Sequence, residues 1–357
     1  MSLAATRNGL LHIRLANQLI TAPISGRPAD VVDRFLAMQS QDYAMAKWAI
    51  GLRLRGSGEK DIEVAFNKGE ILRTHLLRPT WHFIAPKDIR WVLDLTAPNI
   101  RKRGAYYYRI LGLDENDLSR SSRIIGDILS VGVPLTRTAI SEKLEAAGIH
   151  TSDGRISQIL MNAELDGLIC SGPREGKQFT YVLLDNAAPS SKTLHKDDAL
   201  ATLAARYFAS RGPATVNDLA YWSGITMKDA RSGAASLDRS FETVSFEGSE
   251  YIYRYAEGPE ECGRSTFLLP DYDELIVGYR DRSLLCPTDI NGIVDNGIAV
   301  NAERDRSILM IRGKAEGKWK VLSAKRTKAS AEPVRRLSDD ERSEIDSAVS
   351  RYVGFWS

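Results

Sequence analysis

The strongest constraint on how this 357-residue chain can fold is a pattern that comes round three times: helices at amphipathic spacing, then a β-hairpin. The first round has a helix from Asp30, another over about 43–55 and a short helix at 61–70 closed by Gly69. It ends in two strands within 71–84 that turn near Arg78 and Pro79. The second has SSRIIGDILS (121–130), TRTAISEKLEAAG (136–148), SDGRISQILMNAELDGLI (152–169) and a hairpin whose turn, 172–177, mixes Gly and Pro with basic residues. After a polar linker at 186–198 the third brings helices within 198–237 and a hairpin within 240–255. Helices closed by a two-stranded ribbon are the plan of the winged helix, a helix-turn-helix variant.

The expected fold is therefore mainly α with β (α+β): three tandem winged-helix domains, a C-terminal β-rich domain and a terminal helix. Boundaries are expected at 1–118, 119–190, 191–258 and 259–357. The last stretch carries strand-like runs at 267–279, 297–300 and 307–322, the third a hairpin turning near 314–317. It closes with a helix whose N-cap is Ser338. An amphipathic helix over about 10–20 precedes the first round.

Several function classes drop out. No apolar run of about eighteen residues could span a bilayer, and Arg14, Asn17 and Gln18 interrupt any signal-peptide core, so a cytoplasmic protein is expected. Cys170, Cys262 and Cys286 lie far apart without a ligand-spaced partner, which argues against disulfides and zinc. The GSGEK at 56–60 lacks the spacing of a phosphate loop, so no metal and no nucleotide cofactor is expected. A net charge of +2 announces no nucleic-acid partner by itself; the placement of the charges has to.

One residue breaks the pattern. Val32, Phe35 and Leu36 fall at helical spacing from Asp30, and the next core-facing position is Gln39. Gln41 would lie about 200° further round an ideal helix, so the two amides converge only if the helix ends or distorts there. Two readings stand: the glutamines hydrogen-bond backbone groups at a helix end, or they form a site.

Taken in order, RLANQLI, MQSQDY followed by WAIGLRLR, the LLRPTWHFI ribbon, LLPDYDELIVGYRDR and the late RGKAEGKW resemble the bacterial AlkZ-like family, the azinomycin-resistance type of DNA glycosylase. The likeness covers nearly the whole chain. It implies tandem winged-helix domains holding double-stranded, damaged DNA, with a monomer expected. It also implies a catalytic Gln-x-Gln motif mapping onto Gln39 and Gln41, with alkylated purines as substrates. The central residue, typically aliphatic in that family, is Ser40 here, and the nearest carboxylate is Asp42. The alternative is a non-catalytic winged-helix DNA-binding protein or transcription regulator.

Candidate DNA contacts are Lys47, Arg53, Arg55, Arg73, Arg78 and His82 in the first module and Arg155 and Gln158 near the second recognition helix. Arg312, Lys314 and Lys318 add to them at the late hairpin. Asp271, Asp273 and Glu274 could make an acid–base pair, although turn hydrogen bonding after Pro270 is the simpler reading. Trp48 and Trp81 read as core aromatics.

Overall fold

A computed structural model describes residues 6–254, 266–285 and 307–357. The chain begins with α1 (Arg7–Asn17), α2 (Pro28–Phe35), β1 (Ala37–Gln39), α3 (Tyr43–Arg53), α4 (Glu59–Asn67), β2 (Leu72–Leu76) and β3 (Thr80–Ile84). A long α5 (Ile89–Ile110) leads to α6 (Glu115–Leu129), β4 (Leu135–Thr136), α7 (Arg137–Ala146), α8 (Arg155–Leu165), β5 (Ile169–Glu175), β6 (Gln178–Leu183) and α9 (Leu184–Ala187). Next come α10 (Lys196–Arg211), α11 (Val216–Ser223), α12 (Met227–Ala235), β7 (Glu242–Phe246) and β8 (Ser249–Tyr253). The last part holds β9 (Phe267–Leu269), α13 (Glu274–Val277), β10 (Ile308–Ile311), β11 (Lys314–Val321), β12 (Ala329–Pro333) and α14 (Asp339–Phe355).

The mixed α and β composition is the one expected, and the order of helix, short strand, two helices and hairpin recurs in all three rounds. The first and middle rounds both close it into a three-stranded sheet, of strand order β1-β3-β2 and β4-β6-β5. In the third round an isolated bridge between Ala214 and Ile252 takes the place of the short strand. The β-rich C-terminal part is an antiparallel sheet of order β12-β11-β10-β9.

Packing divides the chain into two compact units that interleave in sequence. One comprises Met1–Glu63, Leu200–Trp222 and Thr226–Ser357; the other comprises Val64–Ala199 and Ser223–Ile225. In the first, Trp48 and Trp319 donate their indole N–H groups to the Leu268 and Leu269 carbonyls, each at 2.7 Å. Both rings pack edge-on against Tyr352 of α14, with centroids 5.2 and 4.7 Å away. Trp48 is thus a core aromatic with its polar atom satisfied. In the second unit, Ile125, Ile140, Leu144, Ile159 and Ile169 form the core between α6, α7, α8 and the hairpin. Cys170 is buried there, and desolvation pushes its thiol up to about 12, so it is an inert core residue.

Three local expectations are corrected. The helix from Asp30 stops at Phe35 instead of reaching residue 39, because Leu36 turns left-handed at φ 64° and the chain leaves as β1. The late hairpin turns at Arg312 and Gly313, with φ of 50° and 81°, where the tight turn demands left-handed backbone; Lys314 to Gly317 lie within β11. The run at 267–279 is a strand only to Leu269, then a turn in which Asp273 caps the short α13. The expected strand at 297–300 lies outside the described residues.

Candidate active site

Gln39 ends β1. Its side chain is nearly buried, at 8% exposure, while Ser40 is fully buried and Gln41 is exposed. β1 ends at Gln39, and Gln41 lies beyond it in the bend that leads into α3, so the two amides belong to one short connection rather than to one helix face. A small residue at 40 fits that buried position. Asp42 serves the next helix instead, because its Oδ1 accepts the Met45 N–H at 3.0 Å and caps α3.

A buried ionic hub fixes this segment. The Gln39 backbone N–H donates to Glu274 Oε1 at 2.7 Å. The other oxygen, Oε2, accepts from Arg211 Nε and Nη2 at 3.1 and 2.7 Å and from Trp222 Nε1 at 3.1 Å. Arg211 also donates to the Phe35 carbonyl at 2.9 Å and the Ala37 carbonyl at 2.8 Å, clasping the chain on both sides of Leu36. That is why the helix ends early: the carbonyl at its C-terminus and the first one of the strand are both held by one guanidinium.

A second pair stands beside the first. Arg53 donates to both Asp273 oxygens at 2.8 and 2.7 Å, with neither side chain exposed, and to the backbone and side-chain oxygens of Gln18 at 3.0 and 3.1 Å. Gln18 in turn donates to the Glu274 carbonyl and to the Tyr279 hydroxyl, which donates to the Arg211 carbonyl at 2.6 Å. Burial pushes the Tyr279 phenol up to about 12, so it keeps its proton and stays a donor. The polar residues of the RLANQ stretch are all committed inward: Arg14 donates to the Pro213 carbonyl and Asn17 to the carbonyls of Gly212 and Arg254.

Asp273 and Glu274 are therefore not a free acid–base pair. Each neutralises a buried arginine, and together they order the Gln39 strand. Asp271 accepts from the Ser307 hydroxyl at 2.6 Å.

The side-chain amides of Gln39 and Gln41 have no hydrogen-bond partner among the described residues. The structural reading, in which they serve backbone groups at a helix end, has no contact to rest on. Among the described residues the donor and acceptor positions of both amides are open, and the Gln39 backbone is held by Glu274.

The candidate DNA contacts separate into two groups. Lys47 is buried and paired with Glu59 and, at 2.7 Å, with Glu63; Arg53 is spent on Asp273. Arg73 is buried with its guanidinium 4.4 Å from the Trp81 ring centre and 4.3 Å from that of Phe179. His82 is buried, with Nδ1 2.9 Å from the Thr80 carbonyl. Arg155 pairs with Asp117 at 3.1 Å and donates to the carbonyls of His150, Leu111 and Gly112. These five hold the protein together and have no reach toward phosphate in this arrangement. Arg55, Arg312 and Lys314 are exposed, and Arg78, Gln158 and Lys318 are part-exposed, so these six keep surface to offer.

Among the described residues no cluster of three His, Cys, Asp or Glu could hold a metal, and no helix is long and apolar enough to cross a membrane.

Known proteins resemble this chain along most of its length. The curated interstrand DNA cross-link repair glycosylase of Streptomyces sahachiroi is 24% identical over 291 residues, which is 77% of this chain and 78% of that one. The solved structure of Streptomyces sahachiroi DNA glycosylase AlkZ matches the fold with a TM-score of 0.80 at 18% identity, covering 98% of this chain and 96% of that one. The sequence profile of the DNA glycosylase AlkZ-like family matches residues 32–355, from just before the Gln39 strand to the end of α14, and the chain belongs to that family.

Proposed function

We propose that this DNA glycosylase hydrolyses the N-glycosidic bond of cationic, N7-alkylated purines in duplex DNA, bulky adducts and crosslinks included, with Gln39 and Gln41 positioning the water. The observation that carries the reading is the pair of amides without partners among the described residues, one at the end of a strand pinned by Glu274 and the other two residues on. The cross-link repair activity named for the Streptomyces sahachiroi relative supports the substrate class.

A purine alkylated at N7 already bears positive charge, so the bond between C1′ and N9 breaks with both electrons going to the base, which leaves neutral. What the reaction needs is stabilisation of the sugar cation that develops and a nucleophile waiting at C1′. An amide carbonyl offers a fixed dipole to that cation and an acceptor for a water proton; the amide N–H₂ holds the water's oxygen. As the water oxygen bonds C1′, its proton passes to solvent, because an amide is no base. Positioning does most of the work. The hub costs no reorganisation during the reaction, since Glu274, Arg211 and Trp222 are already in place.

The test is abasic-site formation in duplex DNA carrying N7-alkylguanine, beside the same duplex carrying uracil. The parent protein is expected to release the alkylguanine and leave uracil, a neutral lesion. Gln39→Ala and Gln41→Ala are each expected to slow release by about 10²-fold, the scale of losing one preorganised dipole. Uracil released as fast as alkylguanine would overturn the mechanism, and no abasic sites above the spontaneous rate would leave a DNA-binding protein without the reaction.

A further inference from the structure

The exposed half of α5 carries a feature that the site does not use. Between Arg101 and Ile110 stand four basic residues and no acid, around three consecutive tyrosines. Tyr108 faces inward and packs on the core of α6, α7 and α8. Arg101 is paired with Asp166, and Arg103 donates to the Gly224 carbonyl at 3.2 Å. Tyr106, Tyr107 and Ile110 are 59%, 57% and 62% exposed, and Lys102 and Arg109 are exposed without an ion pair among the described residues.

Helical geometry orders these residues. Lys102, Tyr106 and Arg109 follow at i, i+4 and i+7 and form one stripe, and Tyr107 lies beside it. The two cations are separated by about 10 Å along the axis at 1.5 Å per residue, with a phenol between them. Of the acids that follow, Asp114 caps α6 and Asp117 pairs with Arg155, while Glu115 stands exposed in the first turn of α6, beyond the end of α5. A stripe of cation, phenol and cation with no carboxylate within it complements a line of phosphates. Lysine and arginine supply charge, and a tyrosine hydroxyl supplies a phosphate hydrogen bond.

We infer that this face of α5 is an accessory contact for the phosphate backbone of duplex DNA, made by Lys102, Tyr106 and Arg109. It rests on the DNA-processing reading only for the identity of the polyanion. The contact carries no sequence information and no chemistry; it adds affinity that salt removes.

The experiment is a salt titration of the affinity of the full chain for undamaged duplex. Replacing both cations, Lys102→Glu with Arg109→Glu, is expected to weaken binding at least tenfold at low salt. It should also flatten the slope of log K against log salt by about 1.8, which is two phosphates at about 0.9 each. Tyr106→Phe, which removes only the hydroxyl, is expected to weaken binding by a few-fold without changing the slope. Exchanging the cations, Lys102→Arg with Arg109→Lys, is expected to keep the parent slope. The release rate from alkylated duplex at saturating DNA should stay within about twofold of the parent in every variant. An unchanged slope and affinity in the charge-reversed variant overturn the proposal. So does a change only in self-association, which would make this face an interface between copies. The titration reads binding alone, so a protein without glycosylase activity would disprove the chemistry above and leave this measurement intact.

Discussion

The first and second rounds reach their second helix in different ways. In the second, β4 ends at Thr136, and the same Thr136 caps α7 by accepting the Ala139 N–H at 3.2 Å. The third is as direct: Ala214 makes the bridge, and Thr215 and Asp218 exchange the capping hydrogen bonds at 2.9 and 3.1 Å. In the first, β1 ends at Gln39 but the cap is Asp42, so Ser40 and Gln41 stand between strand and helix. The junction in the first round is longer than that of the second by three residues and that of the third by two, and Gln41 sits within the addition, just after Gln39. Short connections give a rigid repeat; the longer one leaves Gln41 outside helix and strand, and the strand that leads into it is held from elsewhere in the chain. Glu274 and Arg211 give that support.

The largest effect is expected at the support. Truncating Asp273 or Glu274 to Ala leaves Arg53 or Arg211 buried without its counter-charge. Urea unfolding is expected to show a loss of about 3–5 kcal/mol for either. No truncation in the second junction should approach that, because Thr136 has no charged partner. If Glu274→Ala cost no more than a cap, the hub would not be what holds the first junction.

A smaller effect separates the same two junctions. Asp42→Ala and Thr136→Ala each remove one capping acceptor, and each is expected to lower stability by about 1 kcal/mol. Only the first should also slow base release, since it frees the end of the Gln39–Gln41 segment. Equal release rates in the two variants would show that the cap does not steady the glutamines.

The smallest effect comes from a third cap, far from both junctions in sequence. Glu341 in α14 accepts from the Ser338 N–H and from Arg335, and these hydrogen bonds hold its carboxyl down at about 2, against an ordinary 4.5. A lowered pKa gives stability that is complete above the ordinary value and is lost as pH falls toward about 2. Glu341→Gln is therefore expected to be less stable than the parent at neutral pH, with the difference closing between about 4.5 and 2. A difference that is constant with pH would remove the charge from the account.

Sequence reasoning reached the repeating order of elements because hydrophobic period, capping residues and glycine turns are local signals. It also singled out Gln39 as a buried polar position, since an amide at a core-facing position is visible in one turn of helix. It could not find the strand that replaces that helix. The residue that ends α2 is Arg211, and its bond to the Phe35 carbonyl spans 176 positions. The same blindness explains the basic residues. Lys47, Arg53 and Arg73 look like phosphate contacts beside a site, yet each is buried against a carboxylate or an aromatic ring from elsewhere in the chain. A signal for Arg53 was present, however. It closes the Trp48-to-Leu52 run of α3, whose neighbours are core residues, and the chain supplies the carboxylates Asp273 and Glu274 in an otherwise apolar stretch.

The contact between Gln39 and Glu274 spans 235 positions. On the ribosome, both glutamines exist long before the residue that orders them has been made. A growing chain can complete its middle repeat while the Gln39–Gln41 segment is still without its anchor, so the proposed site would be completed late in synthesis. A fragment that stops before α13, however well its repeats fold, would carry both glutamines and lack Glu274, the residue that holds the Gln39 backbone.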